Sequence, residues 1–305
     1  MSQEFHVPED AKGERLDRFL AQQLGQSRTQ VQKLIAQGKV LVSGQVRPAH
    51  VALKPGDVIA VEEGDATPVS QRATPTPTVI AETKDFVVIE KPTGLLAHPA
   101  PGTNEPTLID WLLDHAPEIR ELGDPQRPGL VQRLDRLASG LMVIPKTLTM
   151  FEYLKSQFQE HKVTKEYLAL VDDYVAKPEG IINFPLAHSD RGHGKMAARP
   201  KGEEGRPAVT HFAVEQRGQQ ATLLRVRTFT GRTHQVRAHL AAIGHPILGD
   251  PLYRSKGLKI TRPIPRLCLH ATRLAFTDLA GEKHEFASPL PADFLAIVQE
   301  FTDQA

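Results

Sequence analysis

The chain has 305 residues, of which 40% are hydrophobic and 24% are charged, a balance that excludes an intrinsically disordered polypeptide. No apolar run approaches the roughly 20 residues of a membrane-spanning helix, and the N-terminus lacks the basic and then apolar layout of a signal peptide. Because Cys268 is the only cysteine, an internal disulfide and a cysteine-rich metal site are excluded, and we expect a cytoplasmic protein in a reducing environment.

The net charge of +1 conceals a separation of basic from acidic segments. Residues 12–47 contain seven Lys and Arg against two acids, residues 190–240 contain ten against four, and residues 253–273 contain six against none. Solvated surface charge would explain any one of these segments by itself. Together they favour a polyanion bound along one face of the protein.

Apolar residues at helical spacing predict one helix over residues 14–24 and a second over residues 28–37, which Ser27 can cap. Short strands are predicted at residues 39–43 and 57–61, next to turn-forming Gly and Pro. Two helices and a small sheet over this length predict a compact basic module. The cations on or beside its polar faces are Arg15, Arg18, Arg28, Lys33 and Lys39.

This pattern resembles the S4 RNA-binding domain, and a two-helix dimerisation module is the alternative. The resemblance implies an S4-like domain at residues 1–63 whose basic helices contact the RNA backbone, where Lys and Arg supply salt-sensitive affinity and little base readout. Residues 64–78 contain three prolines and four threonines without an apolar face, which predicts an extended linker.

Residues 79–305 are expected to form one larger domain. Strands are predicted at residues 86–90, 141–144, 165–171, 221–228 and 267–276. Helices are predicted at residues 107–115, 148–160, 233–243 and 291–301, and the last should turn Phe294, Leu295, Val298 and Phe301 inward. Since strands and helices do not alternate steadily, we expect an α+β fold with a mixed, largely antiparallel sheet and peripheral helices. The Gly-rich basic segment 190–206 is predicted to be a mobile loop, without the spacing of a phosphate-binding P-loop.

The most chemically suggestive stretch surrounds Asp135, which lies between Arg133 and Arg136. A small-residue corner ending at Gly140 follows, and then a short apolar run that favours a buried strand. An acid held beside a strand by a tight turn is a candidate catalytic group. A surface ion-pair turn is the alternative, because the same Arg-Leu-Asp-Arg string occurs at residues 15–18.

Several ordered motifs in this part resemble pseudouridine synthases of the RluA type. They are Lys91-Pro92-Thr93-Gly94 with His98, Arg133-Leu134-Asp135 with Ser139-Gly140-Leu141, Lys165-Glu166-Tyr167, residues 231–237 (GRTHQVR), and Gly244-His245-Pro246 with residues 249–253 (GDPLY). With the S4-like module in front, the chain is most similar to the RluD-like branch, which acts on large-subunit ribosomal RNA. Two departures are Gln132, where the family usually has His, and Leu137-Ala138, where it usually has Asp-Thr.

The resemblance implies the isomerisation of uridine to pseudouridine within RNA, which requires no cofactor because nothing is gained or lost overall. Asp135 would act at the sugar as nucleophile or base, as carboxylates do at other glycosidic bonds. Arg232, at a strand-to-helix junction, resembles the family's active-site arginine and would hold and aim this carboxylate. Tyr167 would pack on the uracil face, and its hydroxyl would assist removal of the C5 proton.

Further residues are expected to bind the substrate. Arg133 would occupy the gap left by the everted base or contact a phosphate, and Leu134 would line a closed apolar pocket. His98 and His234 are either direct participants or scaffold. His234 and His239 are five residues apart and so face different sides of a helix, which argues against a metal site.

The expected partner is RNA, either large-subunit ribosomal RNA or a ribosomal particle, bound by a monomer without a membrane or a small-molecule cofactor. A non-catalytic S4-type RNA-binding or ribosome-assembly factor is one alternative, favoured by Gln132 and Ala138. A synthase that acts on transfer RNA is the other.

Overall fold

The computed structural model describes residues 2–36, 39–62, 75–98, 105–125, 127–189, 194–199, 204–254, 260 and 263–302. The chain divides into two compact units, Met1–Ala73 and Thr74–Ala305. The predicted linker at residues 64–78 lies mostly outside the described residues, and so does the boundary between the two units.

The first unit packs two helices on a small sheet. Its elements are β1 (Ser2–His6), a 3₁₀ turn (Glu9–Ala11), α1 (Leu16–Leu24), α2 (Arg28–Ala36), β2 (Val40–Val42), β3 (Gln45–Val46) and β4 (Val58–Glu62). The strand order is β1-β4-β2-β3, and every pair in this sheet is antiparallel. Leu16, Leu20 and Val31 from the helices are fully buried in one cluster with Ile59 of the sheet.

Both helices of this unit agree with the predicted positions to within two residues at each described end. Strand β1 was not predicted, because its sequence SQEFH has no apolar alternation. It is held by pairing with β4 from Ser2↔Glu62 to His6↔Val58, a backbone interaction that side-chain patterns do not reveal.

The second unit is built on one large sheet. The strands of the second unit are β5 (Thr78–Glu82), β6 (Phe86–Lys91), β7 (Ser139–Pro145), β8 (Thr164–Asp172), β9 (Glu179–Ile182), β10 (Leu186–His188), β11 (Met196–Ala198), β12 (Thr210–Arg217), β13 (Ala221–Thr228), β14 (Leu269–Thr277) and β15 (Lys283–Ala287). Its helices are α3 (Leu108–His115), a 3₁₀ turn (Pro117–Glu121), α4 (Leu148–Gln159), α5 (Gln235–Ala242) and α6 (Ala292–Thr302).

Nine strands form the large sheet in the order β5-β6-β7-β14-β8-β13-β12-β9, with β15 paired to β14. Within the described residues, β7 and β14 are its only parallel neighbours, so the predicted mixed, largely antiparallel sheet is confirmed. All seven residues of β7 are buried. This central strand begins four residues after Asp135 and therefore fixes where that carboxylate lies.

Gly140 is required where β7 meets β14. Its φ is +119°, and a Cβ built on it would lie 2.3 Å from the backbone oxygen of Ala271. No other residue permits this approach, in which His270 pairs with Ser139 and Ala271 with Gly140.

The structure differs from the sequence-based predictions at residues 196–198 and in the buried face of α6. Residues 196–198, inside the predicted mobile loop, form β11, which pairs with β10, while residues 190–193 and 200–203 lie outside the described residues. In α6, Leu295 is 43% exposed, and Ile297 is buried together with Phe294 and Val298. The inward stripe of α6 therefore follows the i, i+3, i+4 spacing.

Candidate active site

A cavity of about 1090 Å³ lies in the second unit. Its walls come from the loop before β7, the turn after β6, one side of α4, strand β8 and the segment between β13 and α5. All seven candidate site residues predicted in this part of the chain line it, namely His98, Arg133, Leu134, Asp135, Tyr167, Arg232 and His234. Residues separated by more than 130 positions in the sequence thus meet around one space.

The turn after β6 holds the loop that carries Asp135. Gly94 N and Thr93 Oγ1 donate hydrogen bonds to the carbonyls of Arg136 and Leu137, at 2.8 and 2.6 Å. Arg136 Nε returns a hydrogen bond to Gly94 O at 3.0 Å. The Lys-Pro-Thr-Gly motif therefore acts as a brace for the two residues that follow the carboxylate.

Lys91 also stabilises the contact between the turn after β6 and the loop that carries Asp135. Its side chain is fully buried, and Nζ donates to the carbonyls of Pro92 (2.9 Å), Leu95 (3.1 Å) and Arg136 (3.1 Å). Burial lowers the pKa of this ammonium to about 7, against the opposing charge of Asp135. Since the three acceptors use all three N–H groups, the lysine holds the loop and has no donor left for a substrate.

Asp135 forms an ion pair with Arg237, whose Nη1 lies 3.1 Å from Oδ2 of the carboxylate. The same guanidinium makes a bidentate pair with Asp250, with Nε–Oδ2 at 2.7 Å and Nη2–Oδ1 at 2.9 Å. The side chains of Arg237 and Asp250 are 3% and 0% exposed, whereas that of Asp135 is 21% exposed. Asp135 is thus the member of this trio that faces the cavity.

The electrostatics of the buried pair of Arg237 and Asp250 favour its charged form. Burial alone would raise the pKa of Asp250, but the hydrogen bonds and charge of Arg237 outweigh it and leave that pKa below its usual range. Burial likewise opposes the charge on Arg237, yet its two carboxylate partners raise the guanidinium pKa. One buried cation therefore serves two carboxylates, one structural and one accessible.

The expected partner of Asp135 was Arg232, and this pairing is wrong. Arg232 lines the cavity, but its Nε donates to the carbonyl of Pro207 at 3.1 Å and its backbone N–H to Gln235 Oε1 at 3.1 Å. Helix α5 begins only at Gln235, after His234 in a left-handed conformation (φ 53°). The first turn of α5 therefore places Arg237 beside the carboxylate of Asp135. The position of Arg232 at a strand-to-helix junction does not reveal this arrangement.

Arg237 and Asp250 were both missed as site residues, although both lie in quoted motifs. Arg237 is the last residue of GRTHQVR, and Asp250 is the second of GDPLY. The available signal was that a helix with Val236, Leu240 and Ile243 inward would bury Arg237 as well. A buried arginine needs an acidic partner. Asp250 follows in the sequence after the remainder of the helix and a loop.

Tyr167 of β8 lines the cavity, as does Thr228 at the end of the neighbouring strand β13. Burial raises the pKa of its hydroxyl to about 12, and the negative charge of Asp135 adds to this effect. The phenol is therefore protonated at neutral pH. It can donate a hydrogen bond and pack against a ring, whereas action as a phenolate base is disfavoured.

The other predicted contacts border the same space. Arg133 Nη2 donates to Thr233 Oγ1 at 2.9 Å, and Leu134 is buried in the main hydrophobic cluster. The His234 ring meets Tyr253 edge-on, with Nδ1 3.3 Å from the tyrosine hydroxyl, and burial lowers its pKa. His234 is thus held as a neutral ring by its neighbours.

His239 lies in α5 and does not line the cavity, whereas His234 precedes the helix, so the prediction based on helix faces does not apply to this pair. The two ring nitrogens of His239 lie 2.9 Å from Thr210 Oγ1 and 2.9 Å from the carbonyl of Phe184. Both nitrogens are engaged in buried contacts, so a shared metal ion with His234 is not supported.

In the first unit, Asp17 organises two of the predicted RNA-binding cations. Its buried carboxylate accepts hydrogen bonds from Arg15 and Arg28 at 3.0 Å and from Gln32 at 2.6 Å. The Arg15 hydrogen bonds, above all, hold the pKa of Asp17 far below its usual range. Both arginines remain about half exposed and so still present charge to solvent.

The remaining cations of this unit differ in their surroundings. Arg18 is largely exposed and pairs with Glu14 one turn earlier. Lys39 is partly exposed, and the side chain of Lys33 lies outside the described residues. None of the helices in the described ranges is both long and apolar enough to span a membrane.

Comparisons with known proteins agree on one family. The family described as RNA pseudouridylate synthase matches residues 85–242, and the S4 domain family matches residues 14–59. "Uncharacterized RNA pseudouridine synthase YlyB" of Bacillus subtilis (strain 168) is 35% identical over 294 residues, which is 95% of each chain. "Ribosomal large subunit pseudouridine synthase D" of Nitrosomonas europaea is 36% identical, over 97% of this chain and 87% of that protein.

A solved structure resembles this chain as well. "Human RNA Pseudouridylate Synthase Domain Containing 1" superposes with a TM-score of 0.59 at 25% identity. The match covers 72% of this chain and 85% of the human one.

Proposed function

Since the chain belongs to the RNA pseudouridylate synthase family, we propose that it converts specific uridines of large-subunit ribosomal RNA to pseudouridine, with Asp135 as the catalytic carboxylate. The choice of ribosomal RNA rests on relatives whose names state that activity, such as that of Nitrosomonas europaea. The choice of residue rests on one observation, the ion pair between Asp135 and Arg237 at the wall of the cavity.

The reaction breaks the bond between C1′ of the ribose and N1 of uracil, and it forms a bond between C1′ and C5. The proton on C5 leaves and N1 gains one, so the atoms and electrons balance within the nucleotide. No redox partner or nucleotide is needed for this balance. The step does need a carboxylate at the sugar, and Asp135 supplies it either as a nucleophile toward C1′ or as a base.

Arg237 is proposed to aim this carboxylate. The bidentate pair with Asp250 fixes the guanidinium, so its remaining Nη1 offers one defined direction to Asp135. Because the pair is nearly inaccessible to solvent, little reorganisation accompanies the change of charge at Asp135.

The cavity suits an everted nucleotide. Cavities of roughly 300–1,000 Å³ bury ligands the size of a drug, and this one is of that order. Tyr167 offers an aromatic face for the uracil, and Leu134 adds apolar wall that keeps water from the opened sugar. Arg133, Arg232, His98 and His234 at the same walls are proposed to contact the substrate.

The proposed substrate is tested by mapping pseudouridine in a strain that lacks this gene. Ribosomal and transfer RNA are modified with carbodiimide and analysed by mass spectrometry. We expect one or more pseudouridines to disappear from large-subunit ribosomal RNA and to return on complementation. Loss only from transfer RNA would identify that RNA as the substrate instead, and an unchanged map would favour a non-catalytic assembly factor.

A further inference from the structure

Lys165 lies in the cavity wall and has no role in the chemistry outlined above. It precedes Tyr167 by two residues on β8, so both side chains leave the same face of the strand. Its ammonium lies 5.5 Å from the centre of the Phe158 ring, a cation–π contact with a residue of α4. The ring thus helps to position the ammonium at the cavity wall.

Three other cations around the cavity have acidic partners, whereas Arg133 and Arg232 donate to Thr233 Oγ1 and to the carbonyl of Pro207. Lys155 pairs with Glu152, Arg127 with Asp124, and Arg136 with Glu105. Among the residues that the structure describes, no carboxylate forms an ion pair with Lys165. Burial lowers its pKa to about 8, and burial is the whole cause, since no carboxylate offsets it. Holding a cation in such a place has a cost that an anionic ligand would repay.

There is room for that ligand beside the ammonium. Gly231, in the segment between β13 and α5, is exposed, and a Cβ built on it would lie 3.8 Å from Lys165 Nζ with nothing else within 4 Å. The absence of a side chain at Gly231 thus leaves open space beside the ammonium. Neither Gly140 nor Gly249 offers such space, because a Cβ on either would collide with backbone.

We propose that Lys165 binds a phosphate group of the substrate RNA strand, beside the nucleotide presented to Asp135. This rests on the proposed function insofar as the ligand of the cavity is RNA. A compact ammonium with three donors suits a phosphate, which carries a full charge, better than a neutral uracil carbonyl. Lys165 is therefore a substrate-binding residue that does not take part in bond breaking.

The test compares full-length Lys165→Met, Lys165→Gln, Lys165→Arg and wild type. Methionine retains an unbranched side chain of similar size and removes the charge. The matched control is Lys162→Met, because Lys162 lies just before β8, is largely exposed and pairs with Glu160. Equilibrium binding to a large-subunit ribosomal RNA transcript is measured over a series of salt concentrations, together with pseudouridine formation at saturating RNA.

Loss of one charge-assisted contact should weaken binding by Lys165→Met and Lys165→Gln about tenfold. The slope of log affinity against log salt should fall by about 0.7–0.9, the value of one phosphate contact. Lys165→Arg should restore both, Lys162→Met should match wild type, and the rate at saturating RNA should change less than about twofold.

Unchanged affinity and salt slope in folded Lys165→Met or Lys165→Gln would overturn the proposal. So would a fall in the saturated rate with normal binding, because it would assign the lysine to chemistry. If Lys165→Met does not fold, Lys165→Gln and Lys165→Arg decide by the same measure. Binding is scored without turnover, so absence of pseudouridine formation by wild type would refute the proposed function and leave this test valid.

Discussion

Among single residues, Arg237 matters most to both stability and the site, because its guanidinium holds one buried and one accessible carboxylate. Asp250 is fully buried and also accepts the backbone N–H groups of Leu252 and Tyr253, at 2.8 and 3.0 Å. Asp135 remains accessible from the cavity. Removing one partner of a buried pair leaves the other charge uncompensated, at a cost of about 3–5 kcal/mol.

We therefore expect Arg237→Met to lower the free energy of unfolding by about 3–5 kcal/mol and to abolish pseudouridine formation. Arg232→Met should leave the ion pair intact, with a stability within about 0.5 kcal/mol of wild type and weaker RNA binding. Urea denaturation and single-turnover assays of both variants provide the comparison. If Arg232→Met lost stability and activity while Arg237→Met retained them, the ion pair described here would be wrong.

The sequence located most of the cavity wall, because Asp135, Tyr167 and the two histidines lie in compact motifs. The choice of Arg232 as the partner of Asp135 missed Arg237, five residues later, which forms the ion pair. The correct choice depends on where α5 starts, and a left-handed His234 delays the start to Gln235. Local patterns do not predict such a conformation in a residue other than glycine.

Among the secondary-structure elements, the junction of β7 and β14 fixes the position of the loop that carries Asp135. Ser139 Oγ lies 2.9 Å from His270 Nδ1 and accepts a hydrogen bond from Arg266 Nη2 at 2.6 Å. Burial lowers the pKa of His270 to about 4, so its ring is neutral in this contact. Side-chain and backbone contacts together thus tie the start of β7 to a strand 130 residues later.

Gly140→Ala is expected to lower the free energy of unfolding by more than about 2 kcal/mol, because backbone must move and a positive φ is strained. Gly281→Ala is the matched control, since Gly281 has φ +83° with nothing within 4 Å of a built Cβ. That variant should lose only about 1 kcal/mol. Equal losses in chemical denaturation would show that the close approach of β7 and β14 is unimportant.

The short apolar run of β7 was recognisable as a buried strand, and α3 was recognisable from its capping residue, Thr107, which indeed accepts from Asp110 N. The parallel pairing with β14 was not, because it joins segments far apart in the chain. Strands β1 and β11 are among several that were not predicted, since each gains its conformation from a partner strand and has no pattern of its own.

At the scale of the whole molecule, two units of different character share one chain. The first is a small basic unit matched by the S4 domain family, and the second is built on the nine-stranded sheet. The α+β class followed from the absence of steady alternation between strands and helices. The strand order did not, since β14 is inserted between β7 and β8 by contacts that only the folded chain reveals.

The proposed reaction depends on the carboxylate of Asp135, and Asp135→Asn in the full-length protein tests this role most directly. Asparagine retains the size of the side chain and can still contact Arg237, so RNA affinity should stay within about twofold of wild type. Pseudouridine formation in a single-turnover assay on large-subunit ribosomal RNA should fall by about 10⁴-fold or more, as for loss of a catalytic residue in other enzymes. A variant that binds and converts uridine at the wild-type rate would contradict the assignment of Asp135.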